Sequence, residues 1–342
     1  MIDLRSDTLT RPDAAMRQAM FAAEVNDDVI DVDPSVAALQ EQIADLLGHE
    51  AAMFMPSGTM TNQVAVRLHC RPGDELICEA GCHIFNYEQG GFAQLSGVVA
   101  RPITGPGAVL QLDQLKDQIQ PDNEHAVRTR MICLENTHNK GGGVVLPYAG
   151  VSEICQWAHQ HGLITHLDGA RLFNAVVASG VSAKDWAQHF DTVSVCFSKG
   201  LGAPVGSALV GNREMIHDMR RHRKLFGGGM RQSGFLAAAA SFALQHNIER
   251  LADDHKRAHR LAEILDQSPG LSVDPKSVET NIVVFEVEPK LGTAANFCQQ
   301  AHQAGVWMFP FGPQRVRAVT HLHIDDPSIE RAGEILANLA AA

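Results

Sequence analysis

Short apolar runs alternate along this chain with stretches of helical periodicity, and that alternation restricts the fold more than any other feature. Residues 52–55, 75–78, 131–134, 163–167, 192–197 and 207–210 read as strands. The segments between them are long enough for helical crossovers, which implies an α/β fold with a mostly parallel sheet and helices on both faces. One helix is legible in detail. Asp33 stands at an N-cap and Pro34 at the first helical position; Val36, Leu39, Ile43, Leu46 and Leu47 share one face, and Gly48 ends it. After about residue 250 the pattern changes. A polar helix over 251–265 precedes strand-like runs at 281–287 and 316–324, which reads as a smaller α+β domain with antiparallel strands. The expected division is a large domain over 1–250 and a small one over 251–342. Gly227-Gly228-Gly229 is expected as a loop between the domains or at a subunit contact.

Composition narrows the function classes. With 342 residues, 45% of them apolar, the chain can bury a sizeable core without disulfide or metal staples. Lys and Arg number 28 against 39 Asp and Glu, a formal charge of −11 that repels polyanions on average and argues against a nucleic-acid partner. The seven cysteines are an odd number with no Cys-x-x-Cys pair. Cys78, Cys82 and His83 suggest zinc, but no fourth ligand sits at metal spacing, so buried free thiols and no metal are expected. Met1 to Arg5 is charged at once and shows no signal-peptide core. The longest apolar stretch, 235–244, is too short for a bilayer and is interrupted by Ser241. The expectation is a soluble, cytoplasmic protein with no membrane partner.

In an open α/β sheet, ligands bind beyond the carboxyl ends of the strands. The run at 163–167 ends in Asp168-Gly169-Ala170-Arg171, and the run at 192–197 ends in Ser198-Lys199-Gly200. Asp168 and Lys199 are one βαβ unit apart, so both would project over the same sheet edge. A lysine and a carboxylate there suit pyridoxal phosphate, which needs the first to hold it covalently and the second to keep its pyridine nitrogen protonated. Ser57-Gly58-Thr59, between a strand and a helix, offers free N–H groups and a helix dipole to a phosphate. His83, after another strand, could stack on the ring. Taken singly, each has a plainer reading: Asp168 an N-cap, Lys199 a solvated turn, Ser57 to Thr59 a cap, His83 one of 17 histidines. The joint order carries the inference. A dinucleotide site is the rival by spacing, but Gly200-Leu201-Gly202 and Gly206 are one residue too far apart, and a strand rather than a helix follows.

Taken together, several segments resemble the threonine aldolase family of pyridoxal-phosphate enzymes, which has the aspartate-aminotransferase-like fold (fold type I). They are residues 2–8, 56–59, 134–139, 166–171, 198–206, 227–234 and 317–322. The resemblance covers nearly the whole chain and is weakest after about Asn247. It implies that Lys199 holds the cofactor, Asp168 faces the pyridine nitrogen, Ser57, Gly58 and Thr59 hold the phosphate, and His83 stacks on the ring. It also implies that Ser6, Arg171 and Arg317 bind the substrate carboxylate, with Arg171 near the cofactor as well. The N-terminal segment would thus contribute to the site. Arg231 would reach the phosphate of a neighbouring subunit, which makes a homodimer the minimal unit, with a homotetramer expected. His125 matches a second histidine near the substrate hydroxyl. There are departures: Ile30-Asp31 replaces the usual Tyr-Gly, and the loop at 139–143 is unusually rich in glycine.

The implied reaction is retro-aldol cleavage of L-threonine or L-allo-threonine, a small-molecule amino-acid substrate, to glycine and an aldehyde. Racemisation, β-elimination or transamination on the same cofactor is the alternative, and a non-catalytic relative a third reading. The base that takes the hydroxyl proton is left open among His83, His125 and a water.

Overall fold

The structure, a computed structural model, describes residues 1–341. Its strands in chain order are β1 (Ile2–Asp3), β2 (Ala51–Met55), β3 (Asp74–Glu79), β4 (Val99–Ile103), β5 (Arg128–Glu135), β6 (Ile164–Gly169), β7 (Thr192–Cys196) and β8 (Ser207–Gly211). They continue with β9 (Leu271–Ser272), β10 (Ile282–Val287), β11 (Val306–Trp307), β12 (Phe309–Pro310) and β13 (Arg315–Val319). The central sheet has the order β2-β8-β7-β6-β5-β3-β4. From β7 to β4 every pairing is parallel, while β8 runs antiparallel to both β7 and β2. All six strands expected in this region are present.

β4 went unread in the sequence for a physical reason. It holds Arg101-Pro102 and is only partly buried at the sheet edge, where a missing N–H donor is tolerated. The run expected as a strand over 316–324 stops at Val319. There the Thr320 hydroxyl donates to the Asp254 carbonyl and its N–H to the Asn281 carbonyl, which turns the chain out of the sheet.

The helix Pro34–Leu47 forms as its sequence specifies. Asp33 accepts from the N–H groups of Ser35 and Val36, and Gly48 closes the helix in the left-handed region at φ 67°. The apolar face, except for Leu46, which is 37% exposed, packs into a core that also holds Phe54, Trp186, Phe197 and Leu251. A second core lies around the small antiparallel sheet β12-β13-β10-β9 and contains Phe285, Phe297, Val316 and Leu336. Leu4, from the other end of the chain, is fully buried in that second core, and β1 pairs in parallel with β11. The loop at 227–229 joins helix Ile216–Leu225 to helix Gly234–His246, and both pack against elements of the large region. It therefore does not run between the two cores. All seven cysteines are buried and free. Among the described residues, no helix is long and apolar enough to cross a membrane.

Candidate active site

Parallel strands deliver the chemistry to one edge, as the topology requires. Asp168 lies in register with Ser194 on the neighbouring β7, and Lys199 follows just beyond that strand. Asp168 is buried, with Oδ1 accepting from the Ala170 N–H at 3.1 Å and Oδ2 from the Asn62 amide at 2.8 Å. Burial would push its carboxyl up, but the positive charges of His83 and Lys199 outweigh that and hold it below the ordinary value, hence ionised. Lys199 is half-buried, and its backbone carbonyl accepts from the Thr10 hydroxyl at 2.9 Å.

Asn62 comes from the helix Gly58–His69, whose N-terminus is the expected phosphate cradle. The Ser57 hydroxyl oxygen accepts from the Met60 N–H at 3.2 Å. A Cβ on Gly58 would fall 2.7 Å from the Cys196 sulfur, so only glycine lets this turn approach β7 so closely. The first N–H groups of a helix have no partner inside it, and at Gly58 and Thr59 they stay open to an anion. A buried ionised carboxylate, an accessible lysine and an open helix N-terminus together fit pyridoxal phosphate.

His83 sits at the mouth of the site. Its Nδ1 lies 2.9 Å from Glu88 Oε1, and its backbone N–H donates to Glu135 at 2.6 Å. The other Glu135 oxygen accepts from the Asn139 N–H at 2.8 Å. Burial works against a charged imidazole, yet the Glu88 hydrogen bond and the charges of Asp168 and Glu88 prevail, so the His83 pKa lies above its ordinary value.

A cavity of about 490 Å³ brings together Ser6, His83, Arg171, Lys199 and Arg317, five of the residues expected from sequence. Tyr87, Phe309 and Phe311 supply its apolar wall. A larger open groove of about 620 Å³ along helix Ile216–Leu225 shares none of these residues. Within the cavity the two arginines differ. Arg171 Nε and Nη2 both bind Asp7, at 2.7 and 2.8 Å. Arg317 donates to the neutral Asn139 side chain at 2.9 Å and to the Arg5 carbonyl at 3.2 Å, and its buried Nε has no partner. The Ser6 oxygen accepts from Thr8, which fixes the turn that begins at Asp7.

Six expected residues do not line this cavity: Asp168, Ser57, Gly58 and Thr59, already placed on β6 and at the helix N-terminus, and His125 and Arg231. His125 lies on an exposed loop, its side chain 87% accessible, near Glu124. Nothing packs it against the chain's own site. Arg231 is also exposed and pairs with Asp27 at 3.0 Å. Conversely, sequence reasoning passed over Glu88, Asn62, Glu135 and the role of Asp7. Asn62 was findable, since it lies four residues after Gly58 on the same face of an amphipathic helix.

With this geometry in hand, the relatives agree. The family model for beta-eliminating lyases matches residues 3–288. A probable low-specificity L-threonine aldolase 2 of Arabidopsis thaliana is 44% identical over 96% of this chain and 94% of its own. The low specificity L-threonine aldolase of Escherichia coli K12 is 44% identical over 100% of this chain and 99% of its own. The solved structure of Leishmania major threonine aldolase, 21% identical, superposes with a TM-score of 0.85 over 99% of this chain and 100% of that one, which shows the fold type I architecture. The chain belongs to the low-specificity L-threonine aldolase family, within the beta-eliminating lyases.

Proposed function

We propose that this protein cleaves L-threonine and L-allo-threonine to glycine and acetaldehyde with pyridoxal phosphate as cofactor. The observation that carries the reading is one cavity lined by Lys199 and by an arginine without a carboxylate partner, Arg317, with the Lys199 charge acting on the buried Asp168. Bound there, the cofactor supplies an electron sink for the pair left when the Cα–Cβ bond breaks. Lys199 holds it covalently, Asp168 keeps a proton on its ring nitrogen, His83 covers one ring face, and Ser57, Gly58 and Thr59 receive its phosphate. Arg317 and Ser6 would hold the substrate carboxylate and so fix the orientation of the Cα–Cβ bond. A base must take the β-hydroxyl proton as that bond breaks. His83 reaches the cavity and serves directly or through a water, whereas His125 serves only if a neighbouring subunit carries it in.

The proposed assembly is a homodimer at least, with Arg231 extended toward the partner's phosphate, and the proposed setting is the cytoplasm, where seven free thiols stay reduced. The family's β-eliminating members make one alternative specific: elimination from threonine would release a 2-oxo acid and ammonia instead. Purified protein supplied with either β-epimer should yield equimolar glycine and acetaldehyde, and borohydride should fix the cofactor to Lys199. A 2-oxo acid as the sole product, or label on another lysine such as Lys224, defeats the proposal.

A further inference from the structure

Below the cavity lies a chain of buried polar groups whose hydrogens can be counted. Thr192 Oγ1 meets His166 Nδ1 at 2.9 Å, and His166 Nε2 meets Asn62 Oδ1 at 3.1 Å. The Asn62 amide nitrogen then donates to two carboxylates, Asp168 Oδ2 and Glu88 Oε1, each at 2.8 Å. Two carboxylates on that atom can face only an NH₂, so the amide's orientation is fixed and its oxygen accepts from His166. Burial holds His166 down at about 4, so it stays neutral with its proton on Nε2. Glu88 is fully buried as a side chain and accepts a second amide donor, Gln63 Nε2, on Oε2 at 2.6 Å. Both oxygens of Glu88 therefore accept from amide N–H groups, as those of a carboxylate do. An ionised carboxylate can only accept, so the hydrogen between Glu88 and His83 belongs to Nδ1.

We propose that Glu88 is a positioning residue that holds His83 in its Nδ1–H form, with the Nε2 lone pair presented to the cavity and available to the β-hydroxyl proton or to a water. The consequence for turnover rests on the aldolase reading; the tautomer does not. Asn62 adds a second task, since one amide ties Glu88, which holds His83, to Asp168, which would face the cofactor's ring nitrogen. The charged groups facing His83 are Glu88, Asp168 and Lys199, with Glu135 on its backbone N–H. A buried carboxylate behind an imidazole selects the tautomer and raises its basicity, the arrangement that orients histidines in hydrolytic triads.

Long-range ¹H–¹⁵N spectra of histidine-labelled holoenzyme, assigned by the H83N variant, read the tautomer directly. The expected spectrum has a protonated Nδ1 and an unprotonated Nε2 for neutral His83. Glu88→Gln keeps the shape and removes the charge. His83 should then titrate at lower pH, the acid limb of the rate profile should move with it, and turnover should fall about 10²-fold or more. Glu88→Asp should recover part of each. An Nε2–H form in the wild type overturns the proposal, as does a Glu88→Gln protein whose His83 titrates where the wild type does. If Glu88→Gln fails to fold, the wild-type spectrum decides alone. Should the protein make no glycine from threonine, the aldolase reading falls while the tautomer result stands or falls by itself.

Discussion

Arg171 and Arg317 enter the same cavity from different halves of the molecule, one just beyond a strand of the large sheet and the other from β13 of the small one. The resemblance assigns both to the substrate carboxylate. The structure divides the work. Arg171 is buried, its fork is closed on Asp7, and Asp7 is further held by the Asn281 amide at 3.2 Å. Arg317 is held only by neutral acceptors, and both its burial and the nearby Arg171 charge press its pKa down. Such a site lacks one negative charge, and under the proposed function an amino-acid carboxylate would supply it. One arginine thus joins the protein to itself, while the other has no carboxylate partner of its own.

Three substitutions break or sharpen this contrast. Arg317→Leu removes two charge-assisted hydrogen bonds to substrate, each worth about 1.5–3 kcal/mol. The expected loss in kcat/KM is about 10²–10⁴-fold, with a small change in Tm; a variant that binds substrate normally would return the carboxylate to Arg171. Asp7→Asn should do the reverse on the stability axis. It leaves a buried guanidinium without its counter-charge, at a cost of about 3–5 kcal/mol. Burial would push the Asp7 carboxyl up, but the Arg171 charge and hydrogen bonds hold it far below its ordinary 3.8. A depressed carboxylate contributes stability above that value and loses it as the pH falls toward the folded pKa. The gap in denaturant stability between wild type and Asp7→Asn should therefore be widest above pH 4 and shrink below it; a gap independent of pH would show that the pair is not ionic. The smallest effect belongs to a third arginine. Arg231 makes one exposed bond to Asp27, which solvent screens, so Arg231→Ala should barely shift Tm. Its proposed work is in trans, and mixing it with Lys199→Ala subunits should restore part of the activity. No recovery in a verified mixed dimer would place Arg231 outside the site.

Much of this was readable before any coordinates, because it is local. Pro34–Leu47 carries its cap, its face and its stop in adjacent residues, and Asp168 and Lys199 each follow an apolar run that marks a strand end. What escaped was written in single residues whose meaning depends on distant partners. Glu88 is one carboxylate among 39 acidic residues, and nothing in its neighbours shows that it is enclosed with Asn62 and Gln63. The Asp7–Arg171 closure spans 164 positions and leaves no periodic trace. His125 is the opposite case, a residue assigned by motif that the single chain leaves in solvent.

The Arg317 guanidinium donates to the Arg5 carbonyl across 312 positions, and Leu4 completes a core built from the last third of the chain. Translation proceeds at roughly 5–20 residues per second, so Leu4 and Arg5 wait about a quarter of a minute to a minute for these partners. During that time an apolar edge at the N-terminus has no docking place, and the cavity has neither its Arg317 nor a fixed Ser6. A ribosome stalled before Arg317 is added would hold all seven strands of the central sheet and none of the contacts that Arg317 makes in the cavity.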